Sequence, residues 1–300
     1  MERLAFKQRE FKQAMATDFR PKLLLSELAT FLSVQLLALF VGWRLIAFQV
    51  AEFGAVQFQP AKESLISFLI AFGIATALIL LFITFIKFKM AYSAFYALLI
   101  FIGTETVFSV FFPELVAIIL AIAAVAIRFL LPNILTHNIT FFLALAGISA
   151  QLGTLIPVLA IIPILIVLSV YDVIAVFKTK HMVQLFKGMM QQGVVMGIVI
   201  PENPADMVRP MQHAVRTKFH EEDKKQFVML GGGDIAFPAM FAISALAQYG
   251  IASAVAILIG SLIGIVAIHL LFTLGKIRAL PALPPIAGFA IAGFLISLLL

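Results

Sequence analysis

Long apolar runs divide the chain into nine segments, each close to the length that a helix needs to cross a bilayer. A spanning helix takes about 20 mostly apolar residues. The pattern predicts spans at 23–48, 64–86, 91–112, 114–131, 138–155, 157–177, 230–249, 251–274 and 280–299. Several connections, such as Pro113-Glu114 and Tyr249-Gly250, leave room only for tight turns between antiparallel helices. We therefore expect an all-α membrane protein, a polytopic bundle of nine transmembrane helices.

One long polar insertion interrupts this pattern. It covers residues 178–229, between spans six and seven, and separates an N-terminal part (1–177) from a C-terminal part (230–300). Within and just after it, residues 193–200 and 226–230 combine β-branched, aromatic and other apolar residues, which is typical of strands. We expect short strands here. The alternative for 193–200 is an interfacial segment that rests on lipid.

The composition supports a membrane location. Of the 300 residues, 63% are hydrophobic and 12% are charged, whereas about 25% of the residues in a soluble domain are charged. The sequence contains no cysteine, which excludes disulfides, a thiol nucleophile and cysteine metal sites. In a membrane protein the net charge of +6 is informative through its placement between the spans. We expect the lipid bilayer, and no nucleic acid, as a partner.

The basic residues predict the orientation of the bundle. If the N-terminus is cytoplasmic, all of the 21 Lys and Arg residues except Arg44 and Lys62 fall on the cytoplasmic side of the nine spans. The positive-inside rule describes such an excess in cytoplasmic loops, and a missed or extra span would scramble it. We expect the N-terminus and the 178–229 loop in the cytoplasm and the C-terminus outside.

Two aspartates lie inside apolar spans, where a carboxylate is costly to bury and is usually functional. Asp172 lies about six residues from the inner end of span six, roughly 9 Å deep, and Asp234 lies about four residues into span seven, roughly 6 Å deep. These helices are sequential and antiparallel, so both carboxyl groups fall at a similar depth in the cytoplasmic half. Pro281-Ala282-Leu283, at the start of span nine, reaches the same level.

The backbone around these residues is expected to be irregular. Gly231-Gly232-Gly233 tolerates unusual conformations, and Pro238 cannot donate to the carbonyl of Asp234, four residues earlier. Three prolines at the start of span nine should leave carbonyls there free to accept hydrogen bonds. Because irregular backbone at this depth must be buried in protein or line a water-filled cavity, we expect a loosely wound, wet pocket.

Tyr171-Asp172, Gly231-Gly232-Gly233-Asp234 and Pro281-Ala282-Leu283 resemble the three signature motifs of the presenilin and signal peptide peptidase family of intramembrane aspartyl proteases. That family has Tyr-Asp on the sixth span, Gly-x-Gly-Asp on the seventh and Pro-Ala-Leu at the ninth, and all three stand here on the matching spans. Pro238 is a feature of the signal peptide peptidase form, whereas the predicted orientation is that of presenilins. The chain resembles a compact, microbial, presenilin-like homologue.

The resemblance implies an aspartic endopeptidase of the GxGD type that cleaves within the membrane. It assigns catalysis to Asp172 and Asp234. It assigns substrate binding or support of the site to Tyr171, Gly231, Gly233, Pro281, Ala282 and Leu283. It implies transmembrane-helix proteins or peptides as substrates, with no cofactor and no metal. We expect an integral protein of the plasma membrane of a microbial cell, and association into a homo-oligomer stays open.

Hydrolysis by two carboxyl groups needs one ionised group to activate water and one protonated group to donate to the carbonyl. Like charges a few ångströms apart cannot both ionise cheaply, so the pair shares a proton. The sequence does not say which aspartate is the base. A transmembrane substrate helix must also unwind, because its amides are bonded internally. We hypothesise that residues 193–200, 226–230 or both offer it a strand edge by β-augmentation, a use that the resemblance to presenilins also implies.

Other functions fit the sequence less well. A proton- or cation-coupled transporter or channel would also use membrane aspartates and a broken helix. However, the first half of the chain repeats neither motif segment, and an odd span count does not divide into equal halves. Ser149 and His269 lie at different predicted depths, which argues against a serine protease. His220-Glu221-Glu222 lacks the second histidine of a zinc motif. We expect Glu27 to anchor a span end and Glu105 to make a buried hydrogen bond.

Overall fold

The computed structural model describes residues 21–85, 89–178, 194–211, 227–274 and 281–300. Within these ranges the chain forms nine α-helices and one pair of strands. The helices are α1 (Pro21–Phe53), α2 (Ala61–Phe85), α3 (Lys89–Ser109), α4 (Glu114–Leu130), α5 (Ile134–Leu155), α6 (Val158–Val173), α7 (Gly232–Tyr249), α8 (Ile251–Leu274) and α9 (Leu283–Ser297). The strands are β1 (Gly197–Pro201) and β2 (Phe227–Gly231). A π-helix (Ile174–Lys178) follows α6, and a 3₁₀-helix (Pro204–Val208) follows β1.

Each of these described α-helices overlaps one predicted span, so the mostly helical architecture is confirmed. In the described ranges, five helical segments are long and apolar enough to cross a membrane: those of α1, α3, α5, α6 with its π-helix, and α8. The full count of nine spans and the side on which each terminus lies stay predictions. The basic tail and most of the basic residues of the 178–229 loop lie outside the described residues.

The outward faces of the helices are apolar. In α6, for example, Leu159, Ile166 and Val170 are exposed, while Ile161 and Ile164 on the opposite face are buried. A helix that is apolar all round is buried in protein or in lipid. Since protein covers only one face of α6, the other face suits contact with acyl chains.

Small residues let two helix pairs approach backbone to backbone. A Cβ at Gly147 of α5 would stand 1.9 Å from the carbonyl oxygen of Gly103 in α3. A Cβ at Gly260 of α8 would stand 2.1 Å from the carbonyl oxygen of Phe289 in α9, and one at Gly264 would meet α9 backbone at 2.6 Å. Close helix packing of this kind replaces the hydrophobic driving force that lipid does not supply.

The two strands form an antiparallel pair, in which Gly197 faces Gly231 and Val199 faces Met229. They overlap the two segments that the sequence predicted as strands, and they pair with each other. The first residue of β1, Gly197, therefore lies opposite Gly231, the last residue before α7.

The β1 segment is packed against the N-terminal end of α5. All five residues of β1 are buried. Val195 and Val199 join Ile134 of α5 and Met211 in a small separate core. The alternative prediction, in which this segment rests on lipid, is wrong because its apolar side chains are covered by α5 and by the chain that follows β1.

Candidate active site

Three helix ends meet at one end of the bundle: the C-terminal end of α6 and the N-terminal ends of α7 and α9. The last regular turn of α6 carries Asp172, whose exposed fraction is only 7%. Directly after it the helix widens into the π-helix Ile174–Lys178, and π-turns of this kind are frequent at functional sites. An otherwise apolar helix therefore delivers one buried carboxyl group to this end of the bundle.

The first turn of α7 carries Asp234. Strand β2 ends at Gly231, whose backbone is extended, and α7 begins at Gly232. The expectation of a loosely wound segment is therefore wrong. The N–H groups of a first helical turn have no intrahelical partner in any case, so Gly232 and Gly233 can be helical here. The missing N–H of Pro238 deprives only the Asp234 carbonyl of its helical partner.

The structure brings Asp172 and Asp234 together, near enough for their carboxyl groups to interact electrostatically. Asp172 is buried and Asp234 is half-buried. The depths estimated from the predicted span ends placed the two carboxyl groups at a similar level in the bundle. Two carboxyl groups that come within a few ångströms of each other share one proton, because ionising both would place like charges side by side, and the titration then belongs to the pair.

A backbone amide of the Pro-Ala-Leu segment holds Asp172. The N–H of Leu283 donates to Oδ2 of Asp172 at 3.3 Å. Pro281 is buried beside them and α9 begins at Leu283. The sequence predicted non-helical backbone here, with carbonyls free to accept hydrogen bonds, but Ala282 already has helical dihedral angles, with φ −88° and ψ −32°. An amide makes the contact with Asp172, because the N-terminal end of a helix presents N–H groups.

The glycines before Asp234 differ in how much space they have. A Cβ at Gly231 would stand 2.6 Å from Oδ2 of Asp234, whereas one at Gly233 would meet only the ring of Phe237, at 3.4 Å. A Cβ at Gly232, which was not a predicted site residue, would press on the ring of Phe141 in α5 at 2.8 Å. Gly231 therefore leaves the space that the Asp234 carboxyl group occupies.

Tyr171 lies beside the site and contacts α2. Its ring meets the ring of Phe72 edge to face, with 5.3 Å between centroids and an interplanar angle of 89°. The tyrosine thus fixes the end of α6 against α2. Its predicted part in substrate binding stays a prediction.

Gln35 of α1 is a residue near the site that the motifs did not indicate. Its side chain is fully buried, and its Nε2 donates to the carbonyl oxygen of Ile235 at 2.9 Å. Ile235 directly follows Asp234, so Gln35 supports the first turn of α7. The available sequence signal was a lone amide in an apolar span, which is costly to bury unless it is hydrogen-bonded.

Two predictions about other acidic residues are wrong. Glu27 is buried rather than anchored at a surface, and its Oε2 lies 3.0 Å from Nδ1 of His269, so the pair joins α1 to α8. Glu105 is half-buried, and no hydrogen bond or ion pair is found for it among the described residues. It lines a cavity of about 340 Å³ with Gln49, Gln151 and several hydroxyl groups, at the end of the bundle opposite to Asp172.

Among the described ranges no group of three or more His, Cys, Asp or Glu side chains is placed to hold a metal ion. The groups that the described site presents are its two carboxyl groups and the backbone amide of Leu283. One carboxylate can take a proton from water while the other, protonated, donates to a carbonyl oxygen.

Comparison with known proteins matches the chain to a family profile and to solved structures of the same fold. The sequence profile described as signal-peptide peptidase, presenilin aspartyl protease matches residues 28–300. A presenilin family intramembrane aspartate protease solved in space group C222 is 23% identical, with a TM-score of 0.58 over 91% of this chain and 96% of that one. The structure in space group P2 is 24% identical, with a TM-score of 0.60 over 94% and 99% of the two chains. Comparison with curated proteins gave no significant match.

Proposed function

This chain belongs to the signal-peptide peptidase, presenilin aspartyl protease family, and from that premise we propose that Asp172 and Asp234 are its catalytic pair. It is a multi-pass membrane protein and an aspartyl protease by family. Its substrates, in this proposal, are transmembrane-helix proteins or peptides, whose peptide bonds it hydrolyses within or near the membrane. The observation that supports the assignment is that both residues lie at the junction of α6, α7 and α9, with their carboxyl groups within electrostatic range of each other.

The proposed reaction needs no group beyond the two carboxyls and one water. The ionised aspartate removes a proton from water, and the resulting oxygen attacks the carbonyl carbon of the scissile bond. The protonated aspartate donates its proton to the carbonyl oxygen, which gives a neutral tetrahedral intermediate. When the intermediate collapses, the C–N bond breaks and the leaving nitrogen takes a proton from the pair. Which residue starts as the base stays open.

The amide of Leu283 supports this proposal because it fixes one of the two reacting groups. A carboxyl group that accepts backbone N–H bonds cannot rotate away from its partner at low cost. Gly231 has the corresponding effect for Asp234, since the absence of its side chain leaves room for that carboxyl group. In the proposal the glycine and Pro-Ala-Leu residues thus preserve the relative position of the pair.

The strand pair suggests how a substrate is presented. In the part of the chain that the structure describes, the sheet has two strands, so β2 has one edge without a neighbouring strand. The backbone groups of Met229 point to that edge, because Met229 faces Val199 and the Val199 backbone groups bond away from β2. We propose that an unwound substrate segment adds to this edge by β-augmentation, which places it directly before Asp234.

The proposal also covers topology and location. Nine spans follow from the apolar runs, and a cytoplasmic tail and a cytoplasmic 178–229 loop follow from the distribution of Lys and Arg. A plasma membrane of a microbial cell is the proposed location. No observation on the structure favours a transporter or channel over the protease, and self-association stays open.

The test is cleavage of a purified single-span substrate in detergent. We expect the wild-type protein to cleave it, and Asp172→Asn and Asp234→Asn each to reduce cleavage to background. Glu114→Gln is the matched control, because Glu114 is an exposed acid at the start of α4. Wild-type cleavage that survives either asparagine substitution would contradict the proposal, and transport without any cleavage would favour the transporter.

A further inference from the structure

Two adjacent polar residues near the start of α5 hold the outer edge of β1 by its backbone. Asn138 donates from Nδ2 to the carbonyl oxygen of Val199 at 2.6 Å and accepts from the N–H of Val199 at 3.0 Å. Nε2 of His137 lies 2.9 Å from the carbonyl oxygen of Gly197. The Asn138 amide thus makes the pair of hydrogen bonds that a neighbouring strand would make. The outer edge of β1 is therefore occupied by α5.

A buried chain of hydrogen bonds fixes the histidine. Because a carbonyl oxygen can only accept, Nε2 of His137 carries the proton and Nδ1 is the acceptor. The hydroxyl of Tyr96 donates to Nδ1 at 2.8 Å, and the Arg128 guanidinium lies over the Tyr96 ring, 5.4 Å from its centroid. All three side chains are buried, with exposed fractions of 0% to 4%. The two bonds of the imidazole therefore run in one direction, from Tyr96 through His137 to Gly197.

The segment after β1 attaches to the same end of α5, whereas the residue before β1 attaches to the start of α7. The N–H of Ile134 in α5 donates to the carbonyl of Arg209 at 3.1 Å, and the N–H of Met211 donates to the carbonyl of Pro132 at 2.9 Å. On the other side, the N–H of Gly232 donates to the carbonyl of Met196 at 3.2 Å. The start of α5 therefore positions β1, β1 positions β2 through their pairing, and β2 leads into α7.

We infer that His137 and Asn138 are positioning residues for the substrate. Because they hold the outer edge of β1, the outer edge of β2 is the edge to which a substrate strand adds. That edge lies at a fixed distance along the chain from Asp234. The inference rests on the proposed function. It concerns the choice of edge and the register of the substrate, and neither residue is assigned contact with the reacting atoms. Register matters because a slip along a strand moves a different peptide bond to the carboxyl groups.

The main variant is Asn138→Ala, which removes both bonds to Val199 at a half-buried position. We expect kcat/KM for a single-span substrate to fall about tenfold, with additional cleavage positions in the mass spectrum of the products. Hydrogen exchange of the peptide that covers 194–201 should become faster, since the Val199 amide loses its acceptor. Gln151→Ala is the matched control: it removes an exposed amide from the other end of α5, and we expect wild-type exchange, rate and cleavage positions.

His137 provides a second, independent pair of variants. His137→Gln retains a side-chain N–H that reaches toward Gly197, so we expect cleavage positions close to those of the wild type. His137→Leu removes the donor and should spread the cleavage positions as Asn138→Ala does. A role in stability alone would lower the unfolding temperature of His137→Leu without changing where the substrate is cut, and that result would overturn the inference.

The two readouts separate the inference from the proposed function. Unchanged exchange in Asn138→Ala shows that Asn138 does not hold β1 and overturns the inference. Faster exchange with unchanged cleavage positions and unchanged kcat/KM overturns the positioning role. A wild-type protein that cleaves nothing, and that equals Asp172→Asn, overturns the proposed function itself. Faster exchange together with shifted cleavage in an active background supports the inference.

Discussion

The two ends of the bundle both carry half-buried or buried carboxyl groups, but their surroundings differ. At one end Asp172 accepts the backbone N–H of Leu283 at the start of α9 and lies within electrostatic range of Asp234, which is half-buried. At the other end Glu105 lines a cavity with amide and hydroxyl groups, accepts no backbone N–H among the described residues, and has the exposed Glu114 as its acidic neighbour. The two ends therefore differ in the backbone donor and in the burial of the second acid, and we expect this difference to separate a catalytic carboxyl group from a structural one.

The largest effect at the α6–α7–α9 end is expected when the kcat of Gly231→Ala is compared with that of Gly233→Ala. A methyl group added at Gly231 would overlap the Asp234 carboxyl group at 2.6 Å, while one added at Gly233 would make an ordinary contact at 3.4 Å. Because a displacement of about 1 Å in a catalytic group can cost about 100-fold in rate, we expect kcat to fall by about that factor in Gly231→Ala. Gly233→Ala should remain within a few-fold of the wild type.

Steady-state cleavage of the single-span substrate measures both glycine variants, and the unfolding temperature controls for loss of fold. Equal effects of the two substitutions on kcat would contradict the steric explanation. They would indicate that flexibility of the glycine run, rather than the space beside Asp234, is what the site requires.

Gln35→Leu tests the support of Asp234 from α1. The substitution removes the hydrogen bond to the Ile235 carbonyl and replaces the side chain with one of similar size. We expect kcat to fall about tenfold, which corresponds to the net free energy of about one hydrogen bond. The free energy of unfolding should change little, because a buried amide oxygen without a partner among the described residues is removed at the same time. A normal kcat would mean that α7 keeps its first turn without Gln35.

Glu105→Gln should have the smallest effect. The substitution neutralises the carboxyl group at the opposite end of the bundle and preserves its shape. We expect cleavage within about twofold of the wild type, as for most substitutions remote from a site. A large loss of activity would show that the two ends are coupled and that the reaction also depends on Glu105.

Much of the fold follows from local pattern. Apolar runs placed α1 to α9 because burial in lipid requires about 20 apolar residues for each crossing. The predicted span ends alone indicated that Asp172 and Asp234 lie at a similar depth. The strand-forming character of β1 and β2 was also visible, since it depends on residue types within a few positions of each other.

The remaining features depend on contacts between distant segments, which the local pattern does not determine. The pairing of β1 with β2 and the donation from Leu283 to Asp172 join residues far apart in the sequence. Arg128 was counted as a basic residue at a cytoplasmic span end, but it lies buried against Tyr96. The polar residues His137 and Asn138 were a visible signal, and their partner became evident only once β1 was placed beside them.

The most direct test of the aspartate pair is binding of a peptide mimic that carries a hydroxyl group in place of the scissile carbonyl, measured by titration calorimetry. A hydroxyl placed between two carboxyl groups resembles the tetrahedral intermediate, so binding should depend on both of them. We predict tight binding to the wild type and at least about 100-fold weaker binding to Asp172→Asn and to Asp234→Asn alike. Binding that is unchanged by either single substitution would contradict the account.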